Sequence, residues 1–139
     1  MRSSARTRLH LDQRTVAEIT KAPGLLLESE ITVREALGRI RASGLRTALV
    51  TDRRGVIGVV TQSQMEVEVD EDSGRLLDDL MVEPVFPHMH ADQGLDLALE
   101  RMGSNQIDLL PVVSRANVHT LVGIVTLQDV LDAYGVSHS

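Results

Sequence analysis

Near its C-terminal end the chain reads Gly123-Ile124-Val125-Thr126-Leu127-Gln128-Asp129, and it has read almost the same once before, as Gly58-Val59-Val60-Thr61-Gln62-Ser63-Gln64. The likeness continues upstream of this pair. Leu49-Val50-Thr51-Asp52 answers to Pro111-Val112-Val113-Ser114, and the stretch Val33–Ile40 answers to Leu95–Met102. The offset is 62 residues from Val33/Leu95 through Asp52/Ser114, 65 at Gly58/Gly123 and 61 at Pro23/Pro84. Offsets that change only between blocks are what loop insertions do to a duplicated unit, so the chain is a tandem repeat.

Each copy carries the same local signals. Apolar residues at i, i+3, i+4 and i+7 mark an amphipathic helix, with Val33, Ala36, Leu37 and Ile40 in one copy and Leu95, Ala98, Leu99 and Met102 in the other. Thr32 or Glu30 is the expected cap of the first helix and Asp92 of the second. Two short strands follow, Thr47–Thr51 with Val56–Thr61, then Leu109–Val113 with Leu121–Thr126. A closing helix is expected over Leu127–Tyr134, ended by Gly135. A helical turn over Arg75–Met81 leads into an extended Pro84-Val-Phe-Pro87. The unit is β-α-β-β-α with a leading helical turn, present twice. One segment breaks the symmetry. Met65-Glu-Val67-Glu-Val69-Asp alternates with period two, so Met65 through Asp72 is expected to be irregular or extended rather than helical.

Composition narrows the function. With 139 residues and 42% hydrophobic content, one compact unit can bury a core without staples. Cysteine is absent, which removes disulfides and thiolate chemistry together. Twenty acidic against 14 basic residues argue against nucleic acid as a partner, and Phe86 and Tyr134 are too few aromatics for stacking platforms. No apolar run spans a bilayer and no apolar core follows the N-terminal arginines, so neither a membrane span nor a secretory signal is expected. Nothing favours an oxidising compartment, and a cytoplasmic placement is the expectation. No nucleophile elbow, phosphate loop or paired-carboxylate pattern is present, so the chain reads as a non-enzyme. His88-Met-His90 places two imidazoles on one side of an extended segment, but without a third ligand nearby no metal site is assigned.

The ordered blocks resemble the CBS domain in its tandem-pair form, the Bateman module. Glu35-Ala36-Leu37 with Leu97-Ala98-Leu99, Leu110-Pro-Val-Val113, Gly58-Val-Val-Thr61 and Gly123-Ile-Val-Thr-Leu-Gln-Asp129 carry the resemblance, which covers about Val16 to Tyr134. It implies an α+β fold, two β-α-β-β-α repeats packed sheet to sheet with pseudo-two-fold symmetry and a cleft on each side. The expected divisions are a flexible basic lead-in over 1–15, the first repeat over 16–69, an acidic linker over 70–75, the second repeat over 76–135 and a tail over 136–139. The resemblance further implies a regulatory module that binds an adenosyl ligand (adenosine, AMP, S-adenosylmethionine or ATP), with no obligatory cofactor and a homodimer as the working form. The ending Asp129-Val-Leu-Asp-Ala-Tyr-Gly135 also resembles tails of prokaryotic chloride-channel-family proteins. The alternative role is therefore a dimerisation module with vestigial clefts in a membrane-protein context.

In that family the nucleoside signature is Gly-hydrophobic-hydrophobic-Thr/Ser-x-x-Asp. A strand end offers backbone amides and a hydroxyl, and a carboxylate three residues on accepts both ribose hydroxyls in charge-assisted bonds. Ile124, Val125, Thr126 and Asp129 match it, although Thr126 also reads as an N-cap and Asp129 as a first-turn carboxylate serving the helix dipole. In the first repeat Thr61 matches but Gln64 replaces the aspartate, so that cleft is expected to hold ribose more weakly. Val85 and Phe86 sit where the family's extended segment borders the base, and Phe86 either flanks an adenine or packs under the sheet. Arg46 is the expected phosphate contact, reaching across to the second-repeat site. Its counterpart Asp108 has the wrong charge, which favours ligands with few phosphates. The dimer is expected to form through apolar surface around Val33–Ile40 and Leu127–Leu131.

Overall fold

The computed structural model describes residues 14–69 and 74–135. The first repeat comprises β1 (Leu26–Glu28), α1 (Val33–Ser43), β2 (Thr47–Asp52), β3 (Gly55–Thr61) and α2 (Gln62–Glu68). The second comprises α3 (Leu95–Asn105), β4 (Leu109–Val113), β5 (Leu121–Thr126) and α4 (Leu127–Ala133). Short 3-10 turns, Val16–Glu18 and Leu77–Leu80, precede the two repeats.

In the first sheet β1 runs parallel to β2, and β2 antiparallel to β3 with Thr47 opposite Thr61. In the second sheet β4 and β5 are antiparallel, with Leu109 opposite Thr126. The strand that would correspond to β1 is reduced there to one parallel bridge, Met89 to Val112. The Val113 carbonyl, equivalent to the Thr51 carbonyl that takes the Ser29 amide in the first repeat, is met instead by His90 Nδ1 at 3.0 Å.

The helices follow the expected stripes. Val33, Ala36, Leu37 and Ile40 are all buried, Thr32 accepts from the Glu35 amide at 3.1 Å, and Gly44 ends α1 at φ +76°. This corrects the expectation of a dimer surface around Val33–Ile40, because that stripe is consumed inside its own repeat. The cap of α3 is also corrected. Gly94 stands at its N-terminus without a side-chain bond, and Asp92 is forked by Arg115 instead, at 3.0 and 2.9 Å.

The larger correction concerns the segment after Thr61, which is helix α2 rather than irregular chain. The Thr61 hydroxyl accepts from the Gln64 amide at 3.0 Å and starts the turn. Met65 is fully buried and Val69, one turn on, packs beside the same core, while Val67 is 82% exposed. The period-two alternation was thus two core residues four apart with an unrelated valine between them. Glu66 and Glu68 lie on the outer surface of α2 and pair with Arg41 and Arg75. Asp70–Asp72, residues 1–13 and residues 136–139 lie outside the described residues.

Strand alternation divides the core into three layers. Ala48 and Val50 face the first repeat's helices, Leu110 and Val125 face the second's, and Leu49, Val56, Leu109, Val113 and Ile124 meet with Phe86 between the sheets. Each Val, Leu, Ile or Phe among them contributes about 1.5–3 kcal/mol when fully buried. The repeats therefore pack sheet to sheet with their helices outside.

The leading turns are exchanged. Val16 belongs to the core of the second repeat, where its amide donates to the Gln93 carbonyl at 2.9 Å. Leu77 belongs to the core of the first, where its amide donates to the Ile31 carbonyl at 2.8 Å. Arg14 and Thr15, assigned from sequence to the flexible lead-in, are anchored: Arg14 Nη1 donates to the Ala133 carbonyl at 2.9 Å and Thr15 bridges Gly94. The repeated glycines make room for these crossings. At Gly123 an added Cβ would lie 2.6 Å from the Lys21 carbonyl oxygen, and at Gly58 it would strike the Met81 sulfur.

Candidate functional site

The two strand-to-helix junctions are near copies. Thr61 has φ −107° and ψ 155°, Thr126 has φ −110° and ψ 154°, and each hydroxyl accepts from the amide three residues ahead. Thr126 is therefore an N-cap, at 3.2 Å from the Asp129 amide. Its hydroxyl proton turns to the Asp129 carboxylate.

At the second junction Asp129 rises one turn above β5, with its side chain 27% exposed and Oδ2 2.8 Å from Lys21 Nζ. Burial pushes the Asp129 carboxyl up, but the Lys21 ammonium and the Thr126 side chain outweigh it and hold the group below the usual carboxylate range. The carboxylate is thus ionised at neutral pH. Sequence reading missed Lys21, because the exchange of leading turns that brings it there leaves no local signal. Ile124 and Val125 are buried. Val125 points into the second repeat's core, and both backbone groups of Ile124 are engaged by Lys21 at 2.8 and 3.0 Å. The strand amide expected for a ligand at Ile124 is therefore already taken.

At the first junction a cavity of about 720 Å³ is lined by Arg46, Thr61, Gln64, Pro87, Gln106 and Asp108, among others. Arg46, expected from sequence to reach the Asp129 site, is exposed and lines this cavity with Thr61. Asp108 also lines it and accepts from the Thr47 hydroxyl at 2.7 Å, joining the two repeats. Its carboxylate is a structural strut facing the same space as Arg46.

Phe86 is 6% exposed and packs between the sheets, with its ring 5.5 Å from that of His88 and 6.2 Å from that of His119. Val85 beside it is 72% exposed. Among the described residues no three His, Asp or Glu side chains converge as metal ligands, and no helix is long and apolar enough to cross a membrane.

Comparison with known proteins adds the following. The family model described as CBS domain matches twice, over residues 16–65 and 77–136. A CBS domain pair solved in complex with 5′-methylthioadenosine and S-adenosyl-L-methionine is 22% identical, with a TM-score of 0.69, covering 88% of this chain and 96% of that one. The CBS domain of a bacterial CNNM/CorC-family Mg²⁺ transporter is 18% identical, with a TM-score of 0.72, covering 97% and 83%. A CBS domain pair/ACT domain protein from Thermotoga maritima is 26% identical, with a TM-score of 0.69, covering 86% and 95%. No curated protein matches the chain.

Proposed function

We propose, from the premise that this chain belongs to the CBS-domain family, that it binds an adenosyl ligand between its repeats and so biases an attached or associated effector. The family is a regulatory, non-catalytic module, and no catalytic family is indicated for any part of the chain. The observation that carries the reading is the ionised Asp129 carboxylate, presented one turn beyond Thr126 and held by the Thr126 side chain and the half-exposed Lys21. Such a group accepts two ribose hydroxyls, and Lys21, with its side chain 53% exposed, can swing aside at little cost. The structural neighbour that holds methylthioadenosine and S-adenosylmethionine supports an adenosyl compound as the class.

A ligand there touches α4, which belongs to the second repeat, and the Lys21 segment, which enters from the first. It favours whichever arrangement of the two it grips more tightly, and that difference is its regulatory output. The one cation beside Asp129, Lys21, cannot neutralise three phosphates, so adenosine, AMP or S-adenosylmethionine bind this site at least as tightly as ATP.

The likeness to a transporter's CBS domain supports a second reading, in which the chain is a homodimerising module attached to a membrane transport protein, such as one of the chloride-channel family, with clefts that hold no ligand. Calorimetry separates the two. Adenosine binds the wild type, Asp129→Ala weakens it tenfold or more, as loss of about 1.5–3 kcal/mol requires, and Gln64→Ala changes it little. Equal effects at the two positions overturn the Asp129 assignment, and indifference to every adenosyl compound favours the second reading. With one tyrosine and no tryptophan, a co-purified adenine would also dominate the ultraviolet spectrum near 260 nm.

A further inference from the structure

A second chamber, of about 550 Å³, opens beside the Thr61 cavity and shares Pro87 and Asn105 with it. His88 and His90 line it from the stretch after Phe86, Arg101 from α3, and Arg115 from the β4–β5 loop. No carboxylate is among its lining residues, in a chain of net charge −6. The four groups come from three separate segments, and only the fold assembles them.

Both imidazoles are wired alike. His88 Nδ1 lies 2.8 Å from the Phe86 carbonyl and His90 Nδ1 lies 3.0 Å from the Val113 carbonyl. A carbonyl oxygen only accepts, so each Nδ1 carries a proton, and each Nε2 is left to a ligand, as an acceptor on the neutral ring and as a donor on the protonated one. The rings stand 5.0 Å apart. Arg101 donates to the His88 carbonyl at 2.7 Å and to Gln93 Oε1 at 3.2 Å, both neutral acceptors. Among the described residues it pairs with no carboxylate, so its charge stands uncompensated. Arg115 is forked by Asp92, but that pair is well exposed and readily exchanged.

We propose that this chamber is an oligophosphate-binding site. Two guanidinium groups beside the imidazoles disfavour a divalent cation, despite the His88/His90 spacing, and favour an anion. The two guanidinium groups, joined by the Nε2 donors of the imidazoles in their protonated form, suit several charged oxygens on successive centres, whereas a single carboxylate reaches only one of them. The site is separate from Asp129 and does not rest on the ribose assignment. The oligophosphate is either free or the tail of a nucleotide whose base and sugar occupy the adjoining Thr61 cavity.

Calorimetry of the full chain with inorganic tripolyphosphate tests this. The wild type binds, Arg115→Gln and His88→Ala each weaken binding about tenfold, and Arg53→Gln, in the turn of the other repeat, changes nothing. Arg101→Gln weakens it further, but it also frees the His88 carbonyl, so the exposed Arg115 carries the decision. ATP binding tenfold tighter than tripolyphosphate, weakened by Arg115→Gln and unchanged by Asp129→Ala, assigns the nucleotide tail, and equal affinity assigns the free anion. No tripolyphosphate binding at millimolar concentration overturns the proposal, as does binding that neither Arg115→Gln nor His88→Ala alters. The effect of Asp129→Ala on adenosine binding reads the ribose assignment and the effect of Arg115→Gln on tripolyphosphate binding reads this one, so the two assignments fail independently.

Discussion

The Thr47 hydroxyl donates to the Asp108 carboxylate at 2.7 Å, across 61 residues of sequence and from one repeat to the other. Thr47 begins β2 and is 2% exposed, and Asp108 immediately precedes β4. The bond is charge-assisted and sits at the edge of the Thr61 cavity. Thr47→Val keeps the shape and strands the carboxylate, so it should cost about 1–3 kcal/mol. Urea denaturation midpoints measure this, and an unchanged midpoint would show that water replaces the hydroxyl.

The two crossing glycines should differ in tolerance. A methyl at residue 123 meets the backbone carbonyl of Lys21, which is itself tied to Ile124 and cannot yield. A methyl at residue 58 meets the end of the Met81 side chain, which can turn away. Gly123→Ala should therefore lose about 1–3 kcal/mol and Gly58→Ala less. Parallel thermal melts rank them, and the reverse order would contradict the crossing geometry.

Acid sensitivity follows from Asp129. Its folded pKa is depressed, so the stability it contributes is fully present above the unfolded value of about 3.9 and is lost as pH falls through the lower folded value. Asp129→Asn should remove that part of the acid limb while changing stability little between its wild-type and variant curves at the lowest pH. Melting temperatures from pH 6 down to about pH 2.5 test the sign.

Self-association is expected through surface other than the α1 stripe. Val67 on α2 is 82% exposed, and Val82, Val85 and Val122 are each more than half exposed. Light scattering should give a homodimer at tens of micromolar, and Val67→Lys should shift it toward monomer if α2 lies in the contact. A monomer throughout would rule the dimer out.

The duplicated blocks made most of the architecture legible. Leu109–Val113 and Leu121–Thr126 fall at the expected residues because each is an apolar run between polar turns. Helix α2 was misread because three apolar residues at alternate positions mimic a strand when only two of them reach the core. Thr61, Thr126 and Asp129 were readable, since a capped junction and its first turn are local. Lys21 beside Asp129, Arg46 in the Thr61 cavity and Arg101 near His88 were not. Those neighbourhoods arise from chain crossings and sheet packing, which short-range periodicity does not encode.

Exchanging the leading turns has a consequence for how the molecule assembles. Each half carries the plug for the other's core, Val16 for the second and Leu77 for the first. Neither half excised at the repeat boundary contains a complete interior, and two severed halves would regain structure only by fragment complementation. Unfolding should then be a single cooperative event, and folding must wait for contacts such as Arg14 with Ala133, 119 residues apart, which slows it relative to a chain of locally closed units.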